Sequence, residues 1–152
     1  MTSKKPLRSR EERTHNVDDM ELPQSPKKIL VLDDDPTLTE VLRDFLELEG
    51  YQVAVVHNGV EGVKMVMGES FDLILCDMVM PNMRGDMFYK AVERTKPRLC
   101  KRFVFMTGHQ TDKEVNDFIR GIRGLVLWKP FEMHQLTEAI GLILKKIETG
   151  KA

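Results

Sequence analysis

The apolar positions of this chain fall into short continuous runs, each closed by a polar residue. Ile29-Leu30-Val31-Leu32 ends at Asp33 and Asp34, and Leu73-Ile74-Leu75-Cys76 ends at Asp77. Phe103-Val104-Phe105-Met106 ends at Thr107, and Leu125-Val126-Leu127-Trp128 at Lys129. Strands covered on both faces read as unbroken apolar runs, whereas strands with one wet face alternate. Between the runs the apolar spacing changes to the helical three-and-four period. Strands are predicted at 28–32, 51–56, 72–76, 102–107 and 125–128, and helices at about 36–49, 59–68, 85–95, 111–120 and 132–148.

Local signals support several of these boundaries. Pro36 suits a first helical turn, where its missing N–H costs nothing, and Gly50 stops the first helix. Leu38, Val41, Leu42, Phe45 and Leu46 give that helix one apolar face. Gly59, Gly62 and Gly68 make the second helix weak by propensity. Thr111 with Glu114 three residues on is a capping-box signature for the fourth. Leu136, Ile140, Ile143, Leu144 and Ile147 line one side of the last. Strict alternation of strand and helix implies an α/β fold, a doubly wound five-stranded parallel sheet with helices on both faces.

Open α/β sheets bind ligands at the carboxyl ends of their strands. The residues that close the runs therefore converge on one edge: the carboxylates of Asp33, Asp34 and Asp77, the hydroxyl of Thr107 and the ammonium of Lys129. Three carboxylates repel one another unless a hard cation sits among them. Mg²⁺ takes oxygen ligands, usually one or two carboxylates with phosphate oxygens, and lysine binds phosphate as a point charge. The set suits holding a phosphoryl group against a divalent metal.

Composition narrows the picture. The chain of 152 residues is long enough for one domain with a real core and short for two. With 23 basic and 24 acidic residues the net charge is −1, which gives no electrostatic footprint for nucleic acid or an anionic membrane. Cys76 lies in a predicted core strand and Cys100 in a connecting segment, so a reduced, cytoplasmic compartment is expected. No apolar run reaches membrane-spanning length, and the basic start is not followed by the apolar stretch of a signal peptide. Residues 1–26 hold too little apolar surface to offset the entropy of ordering them. They read as a disordered tail, with a docking or tethering arm as the alternative. Residues 27–148 form the folded domain and 149–152 a short C-terminal tail.

Four stretches in order, Ile29 to Pro36, Asp72 to Pro81, Met106-Thr107-Gly108 and Lys129-Pro130-Phe131, resemble the receiver domain of two-component response regulators, over roughly residues 27–148. The resemblance implies the flavodoxin-like strand order 2-1-3-4-5, which sets Asp33 and Asp34 across a crevice from Asp77. It implies that Asp77 is the phosphoacceptor, a carboxylate forming an acyl phosphate. Asp33, Asp34, Asp77 and the backbone carbonyl of Val79 would then bind Mg²⁺, with Mn²⁺ as an alternative. Lys129 and Thr107 would contact phosphoryl oxygens, Gly108 would leave room beside them, and the bond to Pro130 would be cis. Each residue has a plainer alternative. Asp77 could cap a turn before Pro81, Thr107 could bond local backbone, and Lys129 could be an ordinary surface lysine. Acids at 33–35 precede a helix start, and Asp35 is expected to serve only there, as a cap.

Two departures from the family pattern stand out. Receivers often carry Tyr or Phe three residues before the lysine, as the partner of the threonine switch; here Val126 holds that position. Trp128 is an even step away and could share its face. Val79 and His109 occupy the positions that tune acyl-phosphate hydrolysis. Valine cannot orient water, and His109 either does so or faces solvent. His15, His57 and His134 show no ligand spacing, and the methionines at 78, 80, 83 and 87 read as adaptable packing.

The function these expectations describe is a stand-alone receiver. It would take a phosphoryl group from a histidine kinase or histidine phosphotransfer protein and shift a surface of helix four, strand five and helix five toward a downstream protein target. Such a domain signals, and its only catalysis is its own phosphorylation and dephosphorylation. With four residues after the last helix, no DNA-binding unit is expected, and output is by protein contact or phosphate relay. The alternatives are a non-cycling binding module, which Val126 keeps open, and a small phosphatase acting through a phospho-aspartate. Phosphatases of that kind use Asp-x-Asp, but Val79 stands at the second position and no insertion is present to form a substrate cap.

Overall fold

The computed structural model describes residues 25–108, 113–122 and 124–148. The expectations for residues 1–24, His109, Thr111 and 149–152 lie outside the described residues. Five strands, β1 (Lys28–Leu32), β2 (Gln52–Val56), β3 (Leu73–Asp77), β4 (Phe103–Thr107) and β5 (Leu125–Trp128), form one parallel sheet in the order β2-β1-β3-β4-β5. Five helices connect and flank them: α1 (Pro36–Leu48), α2 (Gly59–Gly68), α3 (Gly85–Thr95), α4 (Lys113–Arg120) and α5 (Met133–Glu148).

The unbroken apolar runs have two jobs, one per face. Ile29, Val31, Leu73, Leu75, Val104, Met106 and Leu127 pack with Leu42 and Leu46 of α1 and Leu136, Ile140 and Ile143 of α5. The alternate residues Leu30, Leu32, Ile74, Cys76, Phe103 and Phe105 pack with Val66 of α2, Phe88 and Val92 of α3 and Val115 of α4. Both faces are thus covered, as period-two side chains on a sandwiched sheet require.

Helix ends follow the sequence signals. The Asp35 side chain accepts hydrogen bonds from the backbone N–H groups of Thr37 and Leu38, which makes it the cap of α1. Gly50, with φ +98°, ends the helix while Gly50 N–H donates to the Glu47 carbonyl and Tyr51 N–H to that of Leu46. The weak α2 has a packing reason for Gly62: a Cβ there would lie 2.6 Å from Leu32 Cδ2 and 2.8 Å from Phe88 Cε1.

Two local differences matter. Asp77 is the last residue of β3 rather than the first beyond it, so the strand ladder itself fixes its backbone. Residues Pro97–Arg102, expected as a connection as far as 101 with a strand starting at 102, form a 3₁₀ helix that buries Leu99 and Cys100. Among the described residues no helix is long and apolar enough to cross a membrane.

Candidate functional site

The strand order reverses between β1 and β3, so the connections leaving these two strands diverge and open a crevice at their carboxyl ends. Asp33 and Asp34 follow β1, and Asp77 closes β3. One carboxylate oxygen from each of the three lies within 4.8 Å of the others. Asp33 is fully buried and Asp77 nearly so, while Asp34 is exposed at the mouth.

Lys129, at the end of β5, reaches across the top of the sheet. Its Nζ donates to Asp33 Oδ2 at 2.8 Å and lies 3.5 Å from Asp77 Oδ1. The other Asp33 oxygen, Oδ1, accepts from the Asp35 N–H at 3.0 Å. The Val79 N–H donates to Asp77 Oδ1 over a long 3.4 Å. The Lys129–Pro130 bond is cis, and the Lys129 N–H donates to the Thr107 carbonyl at 2.8 Å, which joins the end of β5 to the end of β4. Thr107 is buried there. A Cβ on Gly108 would sit 3.5 Å from Lys129 Cβ, at ordinary contact distance, so Gly108 is set directly against the lysine stem.

The electrostatics are those of crowded acids. Burial, and then the charge of Asp33, push the Asp77 carboxyl up from 3.8 to about 7; Lys129 and the Val79 N–H pull the other way. Burial works to lower the Lys129 ammonium. The Asp33 hydrogen bond and the charges of Asp77 and Asp33 outweigh it and leave the group raised. One cation between two carboxylates leaves negative charge in excess, and the three acids each offer an oxygen within 4.8 Å of the others. A small divalent cation fits this donor set.

Val79 is 40% exposed beside the site, and Trp128 is 39% exposed at the end of β5, where it pairs in register with Thr107. Val126 packs inward on the cluster that contains Phe105. His57 follows β2 and donates from Nδ1 to the Asp33 carbonyl at 3.0 Å. Ligand spacing does not mark it in the sequence, because a ring bonded to a backbone carbonyl 24 residues away leaves no such signal.

The family model described as the response regulator receiver domain matches residues 29–141. The chain belongs to this family. Among relatives, the receiver is 41% identical over 68 residues to the transcriptional regulatory protein CpxR of Escherichia coli, a match covering 45% of this chain and 29% of CpxR. It is 29% identical over 125 residues to the nisin biosynthesis regulatory protein NisR of Lactococcus lactis, covering 82% of this chain and 53% of NisR. The receiver thus spans about half the length of these relatives or less. A CheY-like receiver domain from Methanospirillum hungatei superposes with a TM-score of 0.76 at 28% identity, covering 83% of this chain and 99% of the other. The receiver is therefore a signalling domain of the two-component class.

The loop after β3 is tightly packed against this site. A Cβ on Gly85 would lie 2.6 Å from the Asp77 carbonyl oxygen and 2.9 Å from Met78 Cα, both backbone atoms that cannot turn aside. Gly85→Ala is expected to cost about 2 kcal/mol of stability, measured by urea unfolding, because the start of α3 must move. An unchanged midpoint would mean that the loop yields freely.

Proposed function

We propose that this receiver accepts a phosphoryl group on Asp77 from a histidine kinase or histidine phosphotransfer protein, and that residues 27–148 are the unit that does so. The observation that supports this most is the meeting of three carboxylates within 4.8 Å, with one ammonium bonded to the deepest of them. A structural ion pair needs one acid per base; here two acids are surplus, Asp77, which is buried, and Asp34, which is exposed.

Asp33, Asp34, Asp77 and the Val79 carbonyl would hold Mg²⁺, or Mn²⁺ with the same oxygen ligands. When bound, the ion supplies positive charge that offsets the phosphoryl oxygens and aligns the incoming group. The protein's own groups do the rest. Asp77, an oxygen nucleophile fixed at a strand end, attacks phosphorus and the donor group departs with its bonding electrons. Lys129 lies beside Asp77 and would take a phosphoryl oxygen when one arrives. Thr107, carried on the neighbouring strand and tied to Lys129 through backbone, would hydrogen-bond another. Exposed Val79 offers no group to orient a hydrolytic water, which favours a persistent acyl phosphate over rapid turnover. The change of charge at Asp77 would pass through Thr107 and Lys129 to α4, β5 and α5, and from there to a protein target in the cytoplasm.

Incubation of the full chain with Mg²⁺ and acetyl phosphate, followed by intact mass measurement, tests this reading. One phosphoryl group per chain is expected, absent when EDTA replaces Mg²⁺ and lost slowly after donor removal. Continuous donor hydrolysis over many turnovers would instead make the protein a phosphatase, and no label at all a non-cycling module.

A further inference from the structure

We propose that His57 is a positioning residue for the metal-binding acids, acting by fixing the peptide plane between Asp33 and Asp34; this deepens the phosphoacceptor reading and rests on it. Every polar atom of Asp33 is engaged. Its N–H donates to the Val56 carbonyl at 3.3 Å, Oδ1 accepts from the Asp35 N–H, and Oδ2 accepts from Lys129. Its carbonyl, on a residue with no exposed surface, accepts from the His57 ring at 3.0 Å.

Asp34 is held quite differently. Among the described residues no group donates a hydrogen bond to its exposed carboxylate, yet that carboxylate lies within 4.8 Å of the other two. Its direction is therefore set by its backbone and its own side-chain torsions, with no hydrogen bond to hold it. The carbonyl of residue 33 and the N–H of residue 34 belong to one rigid plane, so a donor that pins the first orients the second. His57 is that donor. With Nδ1 facing the carbonyl, the ring proton sits on that atom.

His57 is itself held in place. Asn58 caps α2 through a bond from the Glu61 N–H at 2.9 Å, and the Glu61 carboxylate accepts from the His57 N–H over 3.5 Å. The edge strand β2 and the first turn of α2 thus aim an exposed imidazole at the buried end of β1. Without it the carbonyl would turn toward water and carry Asp34 out of line with Asp33 and Asp77.

The test compares His57→Asn, whose side-chain N–H occupies the position of Nδ1, with His57→Leu, which has nearly the same shape and no donor. Mg²⁺ binding to each full-length protein is measured by titration calorimetry, alongside melting of the metal-free protein in EDTA. His57→Leu is expected to bind Mg²⁺ about tenfold more weakly, the usual scale for losing a group that orients a ligand, with His57→Asn within about twofold of wild type. The metal-free His57→Asn protein should melt close to wild type, and His57→Leu at most a few degrees lower, because only one partly buried hydrogen bond is lost. Equal Mg²⁺ affinity in His57→Leu and wild type would overturn the inference and leave the phosphoacceptor reading standing. Equal weakening in both variants with lowered melting would also overturn it, as a general structural effect. Wild type that fails to bind Mg²⁺ at millimolar concentration would overturn both.

Discussion

Asp77→Asn is expected to lose the phosphoryl label entirely and yet to melt above wild type in EDTA at pH 7.5. The first effect follows from removing the oxygen proposed as the nucleophile. The second follows from where that oxygen sits. Burial and the Asp33 charge raise the Asp77 carboxyl from 3.8 to about 7. Between about pH 4 and pH 7 the folded protein holds a proton that the unfolded chain has released. Stability therefore falls as pH rises through that window: the contribution is complete below pH 4 and gone above pH 7. The rise is equivalent to about 4 kcal/mol at most, and water at the crevice mouth screens it to about 2. For a domain of this size that is about 5–8 °C in Tm. Asparagine keeps the shape without the charge, so its Tm should vary less with pH than that of wild type. Mg²⁺ should raise the wild-type Tm more than that of the variant and narrow the gap. A variant less stable than wild type at pH 7.5 would show that the carboxylate is held comfortably without metal.

Much of this arrangement is legible in the sequence, for a physical reason. A strand sandwiched between helices must be apolar at every position, so its polar terminator is conspicuous; Asp33, Asp77, Thr107 and Lys129 all stand out in this way. Strand order was not readable from composition or period and came from resemblance alone. What escaped was everything set by tertiary contact. Pro97 to Arg102 is basic residues around Leu99 and Cys100, and reads as a surface connection. Only packing in the folded chain, in the cluster with Phe88, Val92 and Phe103, shows it as a 3₁₀ helix that buries those two side chains. His57 was passed over because its partner is a carbonyl, which every residue has. That Lys129 bonds Asp33 more closely than Asp77, across 96 residues of sequence, is a matter of where β5 ends relative to β1.

That last contact sets up the opposing effects expected of Lys129→Met, which keeps most of the apolar stem and removes the charge. Asp33 has no exposed surface, and its Oδ2 would lose a donor 2.8 Å away. Breaking a buried pair by removing one partner costs 3–5 kcal/mol when the remaining charge stays dry. The lysine side chain is 27% exposed, so water reaches the vacated position and the expected loss is about 3 kcal/mol. Urea unfolding in EDTA at pH 7.5 measures it. Mg²⁺ affinity should move the other way. The ammonium occupies the same negative field that attracts the divalent ion, and two like charges a few ångströms apart at a protein surface are worth more than 1 kcal/mol, so its removal should tighten Mg²⁺ binding about tenfold. The variant would thus be the less stable protein without metal and the better binder of it, while labelling by acetyl phosphate should fall with loss of the group proposed to meet the phosphoryl oxygens. A structural salt bridge predicts only the first of these changes. Lost stability with unchanged Mg²⁺ affinity would therefore make Lys129 a strut of the fold and separate it from the chemistry at Asp77.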